Sequence, residues 1–257
     1  MSVKMVPKNI FSPLNGLELK NRAANFPIIS TKVNSLDKVL LGGIRCGALT
    51  NFFGPSGVGK TQLVFQLSVV TASSIKDGGL NSRVIFIDPT NTFRPERLKE
   101  ISESRGLNSD HILSRIVVYQ PKTIRENISV LEQIRNISTK SKPRLLIIDS
   151  VTANFVKTQL VESLFSIQSH LGEFLHLLRL EAIEHGLAIV TTNSVRARLT
   201  SPPSIVEVGG NIPSQSSHFG VQLSRNESNF YAKLVQPSLD LQQGYYRIDK
   251  KGLIDIN

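Results

Sequence analysis

Five apolar runs decide what this chain can fold into. GALTNFFG (47–54), RVIFID (83–88), RIVVYQP (115–121), RLLIIDS (144–150) and LAIVTTN (187–193) each have a centre with almost no alternation of apolar and polar residues. A strand that is apolar on both faces must be covered on both, which is the pattern of a parallel sheet between helical layers. The intervening stretches agree. KTQLVFQLSVVTASS is apolar nearly all round, hence a buried helix. PERLKEISESRG has Pro in its first turn and a Gly stop. TIRENISVLEQIRNI is a further helix, and LVESLFSIQSHLGEFLHLLRLEAIEHG is a long amphipathic one ending at Gly186. A shorter helix is expected over SLDKVLLG, capped by Ser35 and ended by Gly42 and Gly43.

Strand and helix thus alternate, and the fold class is α/β with a mostly parallel central sheet flanked by helices. NFYAKLVQ and GYYRIDKKGLID add an antiparallel edge at the C-terminal side. Residues 195–217 are rich in Pro, Ser and Gly and read as a long loop. Residues 1–27 show little periodicity and read as an N-terminal arm, mobile or draped. Residues 28–257 read as one core domain, a length that one hydrophobic core sustains.

Between the first run and the first long helix stands GPSGVGKT, comprising Gly54, Pro55, Ser56, Gly57, Val58, Gly59, Lys60 and Thr61. It fits G-x-x-x-x-G-K-[ST] in full and sits in the required strand–loop–helix context. Its glycines let backbone amides wrap a polyphosphate, and the helix start adds the positive end of a dipole. Lys60 is placed to reach the β- and γ-phosphates, and Thr61 to ligate Mg²⁺. Asp149, closing the LLII strand, is placed to hold the water shell of that Mg²⁺. A nucleotide triphosphate with Mg²⁺ is therefore the expected cofactor pair.

The chain carries 30 Lys and Arg against 20 Asp and Glu, a net charge of +10. Such a field favours a polyanionic partner, because cationic side chains displace counterions from phosphates. The single cysteine, Cys46, excludes an intramolecular disulfide and fits a reducing compartment. No run approaches the ~18 apolar residues of a membrane span, and no leader opens the chain. A soluble intracellular protein is expected, with the Asn-X-Ser sequons at Asn127, Asn136 and Asn226 accidental.

SLDKVLLGGIRCGALTNFFGPSGVGKTQ, FRPERL, LLIIDSVTA, QSHLGEFLHLLRL and VGGNI together resemble the RecA/RadA recombinase family. The nearest likeness is to its short RadB-like archaeal paralogues, which lack an N-terminal DNA-binding domain. The resemblance runs from about Ile28 onward. It implies a RecA-type P-loop core, ATP as the nucleotide, DNA as the polyanion and a main recombinase as a possible partner. A cytoplasmic, nucleoid-associated and archaeal-type protein is implied too. It also implies that Gln62 belongs to the nucleotide site and that Arg97 stacks on the adenine. Two loops are implied to face DNA: one around VKTQLVES, and one from Val195 to about Gln215. The second offers Arg196 and Arg198, then Gly209, Gly210 and Asn211, whose backbone can approach phosphates closely.

The departures matter as much. Thr90 stands where the hydrolytic members hold a glutamate, and Ser194 where they hold a glutamine that senses the γ-phosphate. The histidine of the second loop aligns with Gln215, with His218 three residues late. The aspartate that caps a neighbour's ATP aligns with Gln236, beside Pro237. Loss of general-base assistance costs about 10²–10⁴ in rate, so weak hydrolysis is expected unless Glu96 or Asp88 positions water instead. The functional expectation is an ATP-binding, DNA-binding accessory paralogue in recombination and repair. A nucleotide-controlled interaction protein that does not act on DNA is the alternative. The family's Phe-x-x-Ala tether is not evident, so a monomer, small oligomer or heteromer is expected over a long filament.

Overall fold

The computed structural model describes residues 15–141, 143–158, 163–198, 204–227, 229–239 and 242–256. In chain order the elements begin with α1 (Gly16–Ala24), β1 (Ile28–Ile29), α2 (Asn34–Val39), β2 (Ile44–Arg45), β3 (Leu49–Gly54), α3 (Lys60–Ala72) and β4 (Val84–Ile87). There follow α4 (Pro95–Ser104), α5 (Ser109–Leu113), β5 (Ile116–Tyr119), α6 (Ile124–Ser141), β6 (Leu145–Ile148), α7 (Ala153–Lys157) and α8 (Leu164–His185). The remainder is β7 (Ala188–Arg198), β8 (Ser204–Glu207), α9 (Ile212–Ser216), β9 (Phe219–Arg225), β10 (Phe230–Gln236), β11 (Gly244–Asp249) and β12 (Gly252–Asp255).

The large sheet runs β12-β11-β10-β9-β3-β7-β6-β4-β5, with β8 paired to β7. From β9 to β5 the neighbours are parallel; from β9 outward to β12 they are antiparallel. The apolar runs account for this. Alternate residues of one strand feed opposite layers: Val84 and Phe86 join the layer of α3 and α4, while Ile85 and Ile87 join that of α6 and α8. α3 is buried from Leu63 through Ala72, as its apolar circumference requires. α4 starts at Pro95, and α8 is closed by Gly186 in the left-handed conformation (φ 61°).

Three local readings need correction. The 195–217 stretch is not one loop. β7 continues to Arg198 and folds back as a hairpin with β8, Arg196 facing Val206, and α9 follows. The Ser- and Pro-rich centre of the stretch hid the strand pairing on either side of it. β9, between that stretch and β10, was not foreseen either. Finally, α2 begins at Asn34 and Ser35 does not cap it. The cap is Asp255, whose carboxylate accepts the amides of Asn34 and Ser35 at 2.8 and 2.9 Å. The Ser35 hydroxyl instead donates to the Tyr245 carbonyl at 2.6 Å.

Within residues 1–27, residues 1–14 lie outside those described. Residues 16–24 form α1, opened by a reciprocal cap between Asn15 and Glu18. Arg22 ties α1 to the Ile183 carbonyl at 3.0 Å.

The Asp255 cap gives a measurable stability term. Burial alone would raise its carboxyl, but the amides of Ser35 and Asn34 outweigh that and hold it below the usual range. A depressed carboxylate contributes fully above its unfolded value near 4, and the contribution is lost as pH falls through the lower folded value. Asp255→Ala is expected to cost about 1 kcal/mol at neutral pH. Denaturant titration checks this, and the difference from the unmodified protein should shrink in acid.

Candidate nucleotide-binding site

β3 ends at Gly54, and the chain then loops tightly into α3. A Cβ on Gly54 would stand 2.0 Å from the Leu223 carbonyl oxygen of β9, so no other residue fits there. Gly59 caps α3 in the left-handed region (φ 94°), and a Cβ on it would meet Ile248 at 2.7 Å. The loop is braced from outside: the buried Tyr246 hydroxyl of β11 donates to the Val58 carbonyl at 2.7 Å. A second clasp lies one turn further along α3. The Gln66 amide donates to the carbonyls of Thr31 and Leu253 and accepts the Leu253 amide.

This loop forms one wall of a pocket of about 390 Å³ whose other walls include Thr90, Asp149, Thr192 and Ser194. Ser56, Gly57, Gly59, Lys60, Thr61 and Gln62 line it. Lys60 Nζ folds back onto the carbonyls of Gly54 (2.8 Å) and Pro55 (2.7 Å). Burial lowers the Lys60 ammonium from its ordinary value, with the Asp149 charge opposing. Asp149 accepts the Thr61 hydroxyl at 2.7 Å and a short bond from Thr192. Burial pushes its carboxyl above the usual range, against these two hydroxyls. A hydroxyl and a carboxylate in contact, on the floor of a cradle of amides, are hard oxygen donors of the kind that Mg²⁺ takes. The residues fit a phosphate-bound Mg²⁺.

Thr90 faces the pocket. Its hydroxyl lies 3.0 Å from Asp88 Oδ1, 2.8 Å from Thr92 Oγ1 and 3.3 Å from the Asp149 carbonyl. Asp88 itself is fully buried and accepts the amides of Thr92 (3.1 Å) and Phe93 (2.9 Å). It organises the loop and is not on the pocket wall. Glu96 is exposed on the first turn of α4, also off the wall. Arg97 is likewise not a lining residue. It donates to Gln62 Oε1 at 2.7 Å and to the Asp249 and Lys250 carbonyls of the β11–β12 turn. It thus stands behind Gln62 at the rim.

A chain of buried polar groups leaves this floor toward the hairpin. Thr152 donates to Asn193 Oδ1 (2.8 Å), and Asn193 Nδ2 donates to Glu207 (2.9 Å). Glu207 also accepts from Asn51 (2.8 Å) and from Ser214 of α9. The Ser194 amide is held by Asn193 Oδ1 at 2.9 Å.

The residues expected to face DNA lie at the far end of that chain. Arg196 is exposed on the hairpin and shares a cleft of about 400 Å³ with Gly209 and Gly210, both at positive φ. Asn211 and Gln215 are exposed on and beside α9. Arg198 closes β7; its side chain and residues 159–162 and 199–203 lie outside those described. His218 turns away from the loop, its Nδ1 accepting the Leu49 amide at 3.0 Å. Gln236 donates to the Ser217 carbonyl at 2.8 Å. Sequence reading missed Thr92, Thr192 and Tyr246. Thr192 was visible in TTN, but no local signal marks Tyr246.

A parallel α/β sheet with a phosphate cradle at the carboxyl end of β3, and an acidic strand end two strands away, defines a P-loop nucleotide-binding protein of RecA type. The chain belongs to the Rad51 family, whose sequence model matches residues 22–256. Members of this family are ATP-binding, typically Mg²⁺-dependent proteins of recombination and repair. Among the described residues, no helix is long and apolar enough to cross a membrane.

Proposed function

We propose that this protein binds ATP with Mg²⁺ and assists a main recombinase on DNA, cutting the nucleotide only slowly. Lys60 and the backbone N–H groups of residues 56–61 would hold the phosphates. Gln62 would line the site beside them, and Arg97, bonded to Gln62 at the rim, would stack on the adenine. Thr61, and Asp149 through water, would hold Mg²⁺, which would supply charge neutralisation to the bound triphosphate. Arg196, Arg198 and the Gly209–Asn211 turn would meet DNA phosphates.

The observation that carries slow turnover is the environment of Thr90. At the position of the expected glutamate stands a hydroxyl, and a hydroxyl does not accept a proton from water at neutral pH. The neighbouring carboxylate, Asp88, is spent on backbone amides. Ser194, on β7 at the base of the hairpin, lacks the carboxamide with which a glutamine would reach a γ-phosphate.

One sample tests the reading. ATP-analogue binding should be strong and should be lost in Lys60→Ala, while phosphate release stays slow with or without DNA. DNA affinity should fall steeply with salt. Brisk DNA-stimulated turnover, or no DNA binding at low salt, overturns it.

One feature favours the second reading, an ATP-controlled protein-interaction surface. Leu164 and Phe165 at the start of α8, and Ile205 on β8, expose apolar side chains. A partner captured only with ATP, and retained after nuclease treatment, would support that reading over the first.

A further inference from the structure

The amino-terminal edge of the sheet, at the opposite pole from the nucleotide pocket, carries a cationic row. Arg83, Arg115 and Arg144 stand immediately before β4, β5 and β6. These strands are neighbours in the order β6-β4-β5, and Val84 is in register with both Leu145 and Ile116. The main chain keeps that alignment, with the Arg144 amide bonded to the Arg83 carbonyl (3.3 Å) and the Val84 amide to the Arg115 carbonyl (3.0 Å). At about 4.8 Å between strands, the three Cα atoms form a row about 10 Å long.

The three arginines line one pocket of about 440 Å³ with Pro27, Asn81 and Ser82. Arg83 is exposed; Arg115 and Arg144 are half-buried. Arg115 is fixed by bonds to the Asn81 carbonyl (2.9 Å) and His111 Nε2 (3.0 Å). Among the described residues, none of the three forms an ion pair with a carboxylate. Like charges on adjacent strands repel, and an anion seated among them would relieve that repulsion.

We propose that this row is a second phosphate-binding site, separate from the nucleotide cradle, that takes the backbone of a nucleic-acid strand. Guanidinium forks match phosphate oxygens in pairs. An open row of them suits phosphates spaced along a polymer, and the net charge of +10 adds long-range attraction. Because the hairpin with Arg196 lies at the carboxyl end of the sheet, the two surfaces hold two strands at once. This inference rests on the DNA-binding reading above.

The test compares the unmodified protein with the triple variant R83Q/R115Q/R144Q and its Lys counterpart. Labelled single-stranded and duplex oligonucleotides are titrated across salt, and bridging of two differently labelled oligonucleotides is followed. The Gln triple should lower the salt slope by about two to three, at roughly 0.9 per phosphate contact on duplex DNA. It should abolish bridging and leave ATP-analogue binding intact. The Lys triple should keep most of the slope. Arg83→Gln alone, at an exposed position, should lower the slope by about one, which keeps the test valid if the triple misfolds. An unchanged slope and unchanged bridging overturn the site while leaving the DNA reading standing. Pyrophosphate bound through the arginines with no effect on DNA also overturns it, in favour of a free-phosphate site. Absence of DNA binding by the unmodified protein sinks both.

Discussion

Thr90→Glu is expected to raise ATP turnover by about 10²-fold or more, the scale of general-base assistance. The position is open to the pocket and borders Asp149 through its carbonyl, so a longer carboxylate can extend toward the phosphates without displacing a core side chain. The cost is local, since Asp88 and Thr92 each lose one hydroxyl partner. Phosphate release with saturating ATP is the readout, and ATP-analogue binding should change little. Thr90→Ala should leave the slow rate where it is, because the hydroxyl contributes no base. Unchanged turnover in Thr90→Glu with intact nucleotide binding would show that the missing carboxylate is not what limits the site.

Asp88→Ala should be the most destabilising change near the pocket, at about 3–5 kcal/mol. The fully buried carboxylate accepts the amides of Thr90, Thr92 and Phe93, and its removal orphans them. The Phe93 ring packs edge-on against Phe86 (5.0 Å) and Phe65 (5.7 Å), so loosening the loop also reaches the core. Burial alone would raise the Asp88 carboxyl; the bonds from Phe93, Thr92, Thr90 and Gln120 more than offset it and hold it below the ordinary range. The contribution is therefore complete above the unfolded value near 4 and is lost as pH falls through the folded value. Asp88→Asn should lose that acid dependence while keeping part of the stability. Denaturant midpoints at pH 7 and in acid measure both effects.

What could be read in the sequence was what is local. Unalternating strands announced a sheet covered on both faces, and GPSGVGKT placed the cradle between β3 and α3. Arg97 was placed by resemblance, yet its bonds to the Asp249 and Lys250 carbonyls join positions more than 150 residues apart. The Asp255 cap of α2 spans a still longer separation, so the nearby Ser35 was the natural but mistaken choice. β9 and the extension of β7 escaped because their pairing partners lie across Ser-, Pro- and Gly-rich stretches. Thr90 as a replacement could be seen; that Asp88 is committed to the loop could not, since only the folded turn brings those amides to one carboxylate.

The Tyr246 hydroxyl on the Val58 carbonyl sets an order of events during synthesis. The glycine-rich loop leaves the ribosome early, but its outer brace is encoded 188 positions later. The Gln66 clasp on Leu253 waits nearly as long, across 187 positions. A nascent chain carrying the whole signature motif therefore still lacks the two bonds that brace its loop and the helix that follows. Both braces are in place only once β11 and β12 have joined the sheet.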